Sequence, residues 1–268
     1  MKPFRHPLTL LTMFTALVCA APAHAGRSCE PVKLTVATID RGMQLAQRTA
    51  QALDAAYAKN GTRVVLLARA GQDLSQYDQY WSHVAWAYRT PQGPWRVVHK
   101  LNTCGTATSI LMRQGLGDFF LDNMWRYEAA WAALPADLQT PMWALVQNKQ
   151  RVGTLHQRRY SMVSYAWGQH YQQSNQWAAE TLAMAAEPGL RRREQAQSWL
   201  KLRDYRPAVL RIGALTRLGG RLTSSNIEFD DHPPEQRFAG RIETVTADSL
   251  FQWITRSLPG AGPKHLIH

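Results

Sequence analysis

The chain has 268 residues, with 31 Lys+Arg against 19 Asp+Glu and a formal net charge of +12. The length suits one large domain or two small ones, and no repeat, low-complexity tract or linker divides it. A basic balance favours anionic surroundings, but the cations are scattered and only Arg191–Glu194, "RRRE", forms a tight cluster, so a nucleic-acid stripe is not indicated.

The first residues, "MKPFRHPLTLLTMFTALVCAAPAHA", run from a basic start (Lys2, Arg5) through an apolar stretch to Ala23-His24-Ala25. That order is a secretory leader, 1–25, with cleavage after Ala25 and a mature domain over 26–268. The apolar stretch is too short for a comfortable span of about 20 residues. No later segment is apolar enough to cross a membrane, so the expected location is periplasmic or secreted. Export argues against nucleic acid as partner. It leaves a cell-envelope component (wall peptide or lipid) or an envelope protein. Removing the leader discards Cys19 and leaves Cys29 and Cys104, an even pair in an oxidising compartment that is expected to form one disulfide.

Residues 39–58 place Met43, Ala46, Ala50, Leu53 and Tyr57 at helical spacing, ended by Asn60-Gly61. "TRVVLLARAG" reads as a buried strand. Residues 81–100, "WSHVAWAYRTPQGPWRVVHK", read as two strands around a turn with Pro91, Gly93 and Pro94. "TSILMRQGLGDFF" suggests short helical turns, "YEAAWAAL" a strand, and 135–147 a helix. A long irregular section then leads to a helix over 174–187, stopped by Pro188-Gly189, and a second over 194–202. "AVLRI" is a strand, and "IETVTADSLFQWI" a strand running into a helix capped at Asp248. The sum is an α+β domain, an antiparallel sheet with helices beside it.

Side chains alternate along a strand. His83, Ala85 and Ala87 therefore share one face, and Trp95, Val97 and His99 one face of the next strand. A turn centred near Pro91 puts His83 directly across from His99, close enough for the imidazoles to bond. Such a pair suits a base and its orienter, or a structural pair of half-buried histidines. "EFDDHPPEQRF" gathers Glu228, Asp230, Asp231 and His232 without a fixed metal-ligand spacing, so it reads as a charged turn or a loop packed on the site. No metal or cofactor is implied, and His156 and His170 are ordinary isolated histidines.

"SHVAWAYRTPQGPWRVVHK" resembles the histidine hairpin of NlpC-type papain-like hydrolases, preceded by "RVVLLARAG" as in circularly permuted members. The resemblance implies a permuted papain-like architecture, with His83 as general base and His99 as its orienter. In permuted members the nucleophile follows at a helix start. The segment of that shape, "YQQSNQWAAETL", puts Ser174 where the pattern has cysteine, or Gln173 if shifted by one residue. A serine needs stronger base help than a thiol, although a helix N-terminus would favour the developing oxyanion. Ser174 also reads as a plain N-cap, for which serine is a preferred residue, and an unbridged Cys104 would be a reserve nucleophile. "RSCEP", "SHVAWAYR", "VVHKLNTCGT", "YQQSNQW" and "FDDHPPEQRFAGRIETVTADSL" together resemble exported bacterial proteins grouped as domain of unknown function 2145. Two functions are expected as rivals. One is an envelope acyl-transfer hydrolase or transferase using Ser174, His83 and His99. The other is an inactive papain-like binding module for an envelope ligand or partner.

Intact-mass measurement of the exported protein should show a chain starting at Gly26 that gains two hydrogens on reduction. An unchanged mass after reductant would show that Cys29 and Cys104 are not joined.

Overall fold

The computed structural model describes residues 34–122 and 124–268. The expected leader, 1–25, and Cys29 lie outside the described residues. The molecule is α+β, as expected: a six-stranded antiparallel sheet in the order β4-β3-β2-β1-β5-β8, with helices on both faces. Its strands are β1 (Val64–Ala70), β2 (His83–Arg89), β3 (Trp95–Asn102), β4 (Ser109–Gly115), β5 (Arg126–Ala133) and β8 (His265–Ile267). Beside it, β6 (Ala208–Arg211) and β7 (Arg241–Thr244) form a separate two-stranded ribbon.

Alternation along the strands divides the core in two. Val64, Leu66, Val84, Trp86 and Val98 point to one face. There they meet α3 (Ala136–Gln147), α5 (Ser174–Ala186) and α9 (Ala247–Ser257) through Met142, Trp177, Ala178 and Leu250. Val65, Leu67, Ala85, Ala87 and Val97 point to the other face. They are covered by α1 (Val36–Asn60) and α2 (Leu116–Phe120) through Leu45, Leu53, Phe119 and Phe120. The strand β1 is buried along its whole length, as an unbroken apolar run in a covered strand must be. Trp86, Trp177 and Trp253 are core side chains with almost no exposure.

Helix α1 begins earlier than its apolar pattern suggests, because Thr35 and Thr38 form a reciprocal capping box. It ends at Gly61, whose φ of 74° suits a residue without Cβ. Gly42 has a second constraint: a Cβ there would lie 2.9 Å from the Phe120 carbonyl oxygen, so glycine lets α1 approach α2. The helix at the chain's far end is capped by Thr246, not Asp248, since Thr246 Oγ1 accepts from Ser249 N. Asp248 instead accepts from Tyr80 N and Trp81 N at 2.8 and 3.0 Å, just ahead of β2.

Two expectations are corrected by strand pairing. Residues 109–115 are β4, hydrogen-bonded to β3 through seven paired positions, and only 116–120 are helical. Leu111 and Met112 are helix formers, but tertiary pairing overrides that weak preference. The hairpin turn runs from Thr90 to Pro94, closed by Thr90 N to Pro94 O, so it is centred one residue later than Pro91. Trp86 therefore opposes Val98, and the register is displaced by two. A two-residue displacement keeps every side chain on its face. Accordingly, His83 and His99 are diagonal neighbours rather than directly opposed.

The irregular section before α5 is held from outside. Ser161 Oγ donates to Glu228 O, Tyr165 N to an Asp231 carboxylate oxygen, and His232 Nε2 to Val163 O. The Asp230-Asp231-His232 loop is thus a brace for the segment leading into α5. Among the described residues no group of three His, Cys, Asp or Glu side chains could hold a metal ion, and no helix is long and apolar enough to cross a membrane.

One α3 side chain pins the sheet. Gln139 Oε1 accepts from Arg63 N and Val64 N, and its Nε2 donates to Val64 O and Leu134 O. Gln139→Leu orphans those backbone groups and should cost about 2–4 kcal/mol, measurable by urea denaturation. A loss below about 0.5 kcal/mol would show that the groups find other partners.

Candidate functional site

At the open end of the hairpin, the first residue of β2 meets the middle of β3. His83 Nε2 lies 2.8 Å from His99 Nδ1, with ring planes at 68°. The other nitrogen of His99, Nε2, lies 2.7 Å from Gln114 Oε1 on β4. These two bonds fix a direction. An amide oxygen only accepts, so His99 carries its proton on Nε2 and presents a lone pair at Nδ1. His83 must then donate from Nε2, so the bond between the rings runs from His83 to His99. The chain Gln114–His99–His83 is therefore a polarised relay.

Burial decides the roles. His99 has no exposed surface, whereas His83 is half-buried. Burial, seconded by the charge of Arg69, pushes the His99 pKa down to about 3, while the Gln114 bond and Asp122 act the other way. His99 stays neutral at physiological pH and can hold His83 but not replace it. Arg69 sits on β1 opposite His83. Its guanidinium lies 4.6 Å from the Phe119 ring centroid, donates to the Phe119 carbonyl and pairs with Asp122. Phe119 also meets His99 edge-on, with centroids 5.4 Å apart. The couple thus has a floor (α2) and an ionic neighbour. Helix α1 shares this face. Its Asp54 bonds Trp95 Nε1 near the hairpin turn, so its N-terminal half lies toward the histidine end.

Ser174 is placed differently. It is the first residue of α5, and the capping role belongs to Gln173, whose Oε1 accepts from Asn175 N at 2.9 Å. Ser174 is 5% exposed and lies beside Tyr160, a buried phenol whose pKa burial raises. Helix α5 packs on the Trp86 and Val98 side of the sheet, opposite the face that carries the histidines. Its nearest tie to them is Asn175 Oδ1, which accepts from Val84 N at 3.0 Å, one residue after His83. The structure therefore brings His83 and His99 together and leaves Ser174 across the sheet from them.

Lys100, next to His99, points to the α5 side. It is fully buried, donates to Gln157 O and Gln172 Oε1, and has its pKa pushed down to about 6, chiefly by burial. Cys104 lies in the turn beyond β3, and its expected partner Cys29 is outside the described residues. His156 meets Ser109 Oγ at 3.3 Å, and His170 meets Arg159. Neither joins the couple.

Arg69, Gln114, Phe119 and Asp122 were not distinguishable in the sequence. Gln114 became legible only once 109–115 is a strand, since it then shares the face of His99.

A pH prediction follows from His99. Its folded pKa, about 3, is below the unfolded value of 6.5, so the unfolded chain binds the proton more tightly between those values. Stability is intact above pH 6.5 and is lost as pH falls toward 3, by roughly 1.4 kcal/mol per pH unit from this residue. Urea midpoints between pH 7 and pH 4.5 should fall less steeply in His99→Gln. Equal slopes would show that His99 is not a buried neutral imidazole.

A family model described as an uncharacterized protein conserved in bacteria, DUF2145, matches residues 56–254, and the chain belongs to that family. No curated protein and no solved structure matches the chain.

Proposed function

We propose that this DUF2145 member is an exported acyl-transfer enzyme of the cell envelope, a hydrolase or transferase of an amide or ester bond, with a papain-like site organised around His83. The observation that carries this reading is the relay from Gln114 through His99 to His83, with its two bonds of 2.7 and 2.8 Å. It gives one imidazole a defined tautomer, which is what a general base requires. His83 takes the proton of an attacking hydroxyl, and His99, neutral and buried, accepts a hydrogen bond from the imidazolium that forms. Backbone N–H groups at a helix start favour the developing oxyanion.

Ser174 is this chain's candidate nucleophile. The paired register of β2 and β3 runs from Trp86 to Arg89 and from Trp95 to Val98, so the hairpin's open end lies beyond it, with Asn175 bonded to Val84 there. Delivery of Ser174 to His83 would run around that open end. Peptide links of the wall and acyl groups of lipids are both within the reach of such a site. The signal leader, the Cys29–Cys104 disulfide and a periplasmic or secreted location belong to the same reading.

A second reading is favoured by one observation, the seat of Ser174 beside Tyr160 on the far side of the sheet. Under it the histidine couple is kept in a binding module that recognises an envelope ligand or partner without turnover.

A fluorophosphonate probe separates the two. Intact protein should be labelled, and Ser174→Ala should abolish labelling. His83→Ala should slow it on the order of 10²-fold, and Gln114→Leu should slow it at a cost of about 1–3 kcal/mol in stability for the unpaired His99 nitrogen. Labelling unchanged in both Ser174→Ala and His83→Ala sinks the serine mechanism, and absence of labelling in intact protein favours the binding module.

A further inference from the structure

The leucines of one helix face the wrong way for a core. Helix α7 (Ala214–Thr223), "ALTRLGGRLT", follows β6 directly. Leu215, Leu218 and Leu222 recur at i, i+3 and i+7 and so form one stripe. They are 85%, 56% and 77% exposed. The buried residue of this helix is Gly220. At 100° per residue Gly220 lies nearly opposite the centre of the leucine stripe, so α7 rests on the molecule through a glycine and turns its apolar side outward. Phe238, 74% exposed, stands two residues before Gly240, whose carbonyl accepts from Ile212 N at the β6–α7 junction. Val209 on β6 is 42% exposed.

Charge selects the occupant. From Tyr205 to Ile227 the chain carries Arg206, Arg211, Arg217 and Arg221 and no acidic residue, and just outside it Asp204 pairs with Arg206 at 2.9 Å. Arg221 lies on the flank of the leucine stripe and is half exposed, paired with Glu228 at 3.1 Å. Arg217 Nη1 donates to Ile212 O and holds the helix start to the ribbon. A helix with leucines on one side, Arg221 at its flank, the exposed Arg211 just before it and no carboxylate of its own is the pattern of an interfacial helix lying in the headgroup plane of an anionic bilayer. A protein partner of opposite charge would need a larger apolar surface than three leucines to form a specific interface of about 800 Å² per side. A bilayer needs no shape match.

We propose that α7, with Phe238 beside it, docks the protein on an anionic phospholipid surface, leucines inserted and Arg211 and Arg221 at the phosphates. This surface is independent of the histidine couple and holds whichever reading of that site is correct.

The test uses protein isolated from the periplasmic extract of expressing cells, sedimented with vesicles of phosphatidylglycerol and phosphatidylcholine in equal parts. Intact protein should co-sediment, should bind phosphatidylcholine vesicles at least tenfold more weakly, and should be released by raised salt. Leu215→Ser, Leu218→Ser and Leu222→Ser should each weaken binding about tenfold, and the triple variant should not sediment. The melting temperature should be unchanged, because these side chains sit in the open. Equal sedimentation of intact and triple-variant protein overturns the proposal, as does no sedimentation of intact protein. Self-association without vesicles that is lost in the triple variant would assign the stripe to a second copy of the chain and overturn it as well.

Discussion

A fully buried imidazole that must stay uncharged is the constraint around which this end of the sheet is arranged. His99 can be buried only if both ring nitrogens are bonded, because an unmatched polar atom in an apolar layer costs as much as a lost hydrogen bond or more. Gln114 supplies an acceptor to one nitrogen and His83 a donor to the other. Both partners are set by strand pairing: β4 delivers Gln114 onto the His99 face, and the hairpin delivers His83. The positive Arg69 nearby reinforces neutrality, and Asp122 keeps that guanidinium from being an isolated buried charge. The direction of the relay is thus a consequence of burial and not an added device.

The same alternation divides the chemistry of adjacent residues. His99 and Lys100 are consecutive on β3, yet one joins the layer under α1 and α2 and the other the layer under α5. On the Lys100 side a second polar set is fully enclosed. Gln172 bridges Lys100 and Glu180, and Glu180 pairs with Arg193 through two bonds of 2.8 and 3.0 Å. Ser174 belongs to this side through Tyr160. The polar residues that precede α5 in sequence therefore anchor its N-terminus, and the hairpin separates them from the histidines while sharing its strands with both.

Much of this was legible in the sequence. Helix α1, the strand β1, the histidine hairpin and α5 carry strong periodicity or strong stop signals, and local chemistry decides them. The side-chain faces of His83 and His99 were legible too, because parity survives a register error of two. The exact turn was not, since Thr90 to Pro94 offers two prolines and a glycine that suit either centre. Strand β4 was hidden because Leu, Met, Arg and Gln favour helices when nothing pairs with them, and only β3 makes them a strand. Losing β4 also lost Gln114. The face on which α5 would land could not be read from its composition, as its residues from Ser174 to Ala185 are buried all round and show no preferred side. The short β8 is fixed by tertiary contacts and left no periodic trace.

The carboxylate of Asp248 ties this architecture to time as well as space. It holds the backbone just ahead of β2 although 167 to 168 residues separate the partners along the chain. Closing so long a loop is entropically slow compared with forming the hairpin itself. The strand that carries His83 can pair early, but its leading edge is clamped only when α9 arrives. The strand that carries His83 thus depends at its leading edge on the docking of α9 as well as on its own hairpin.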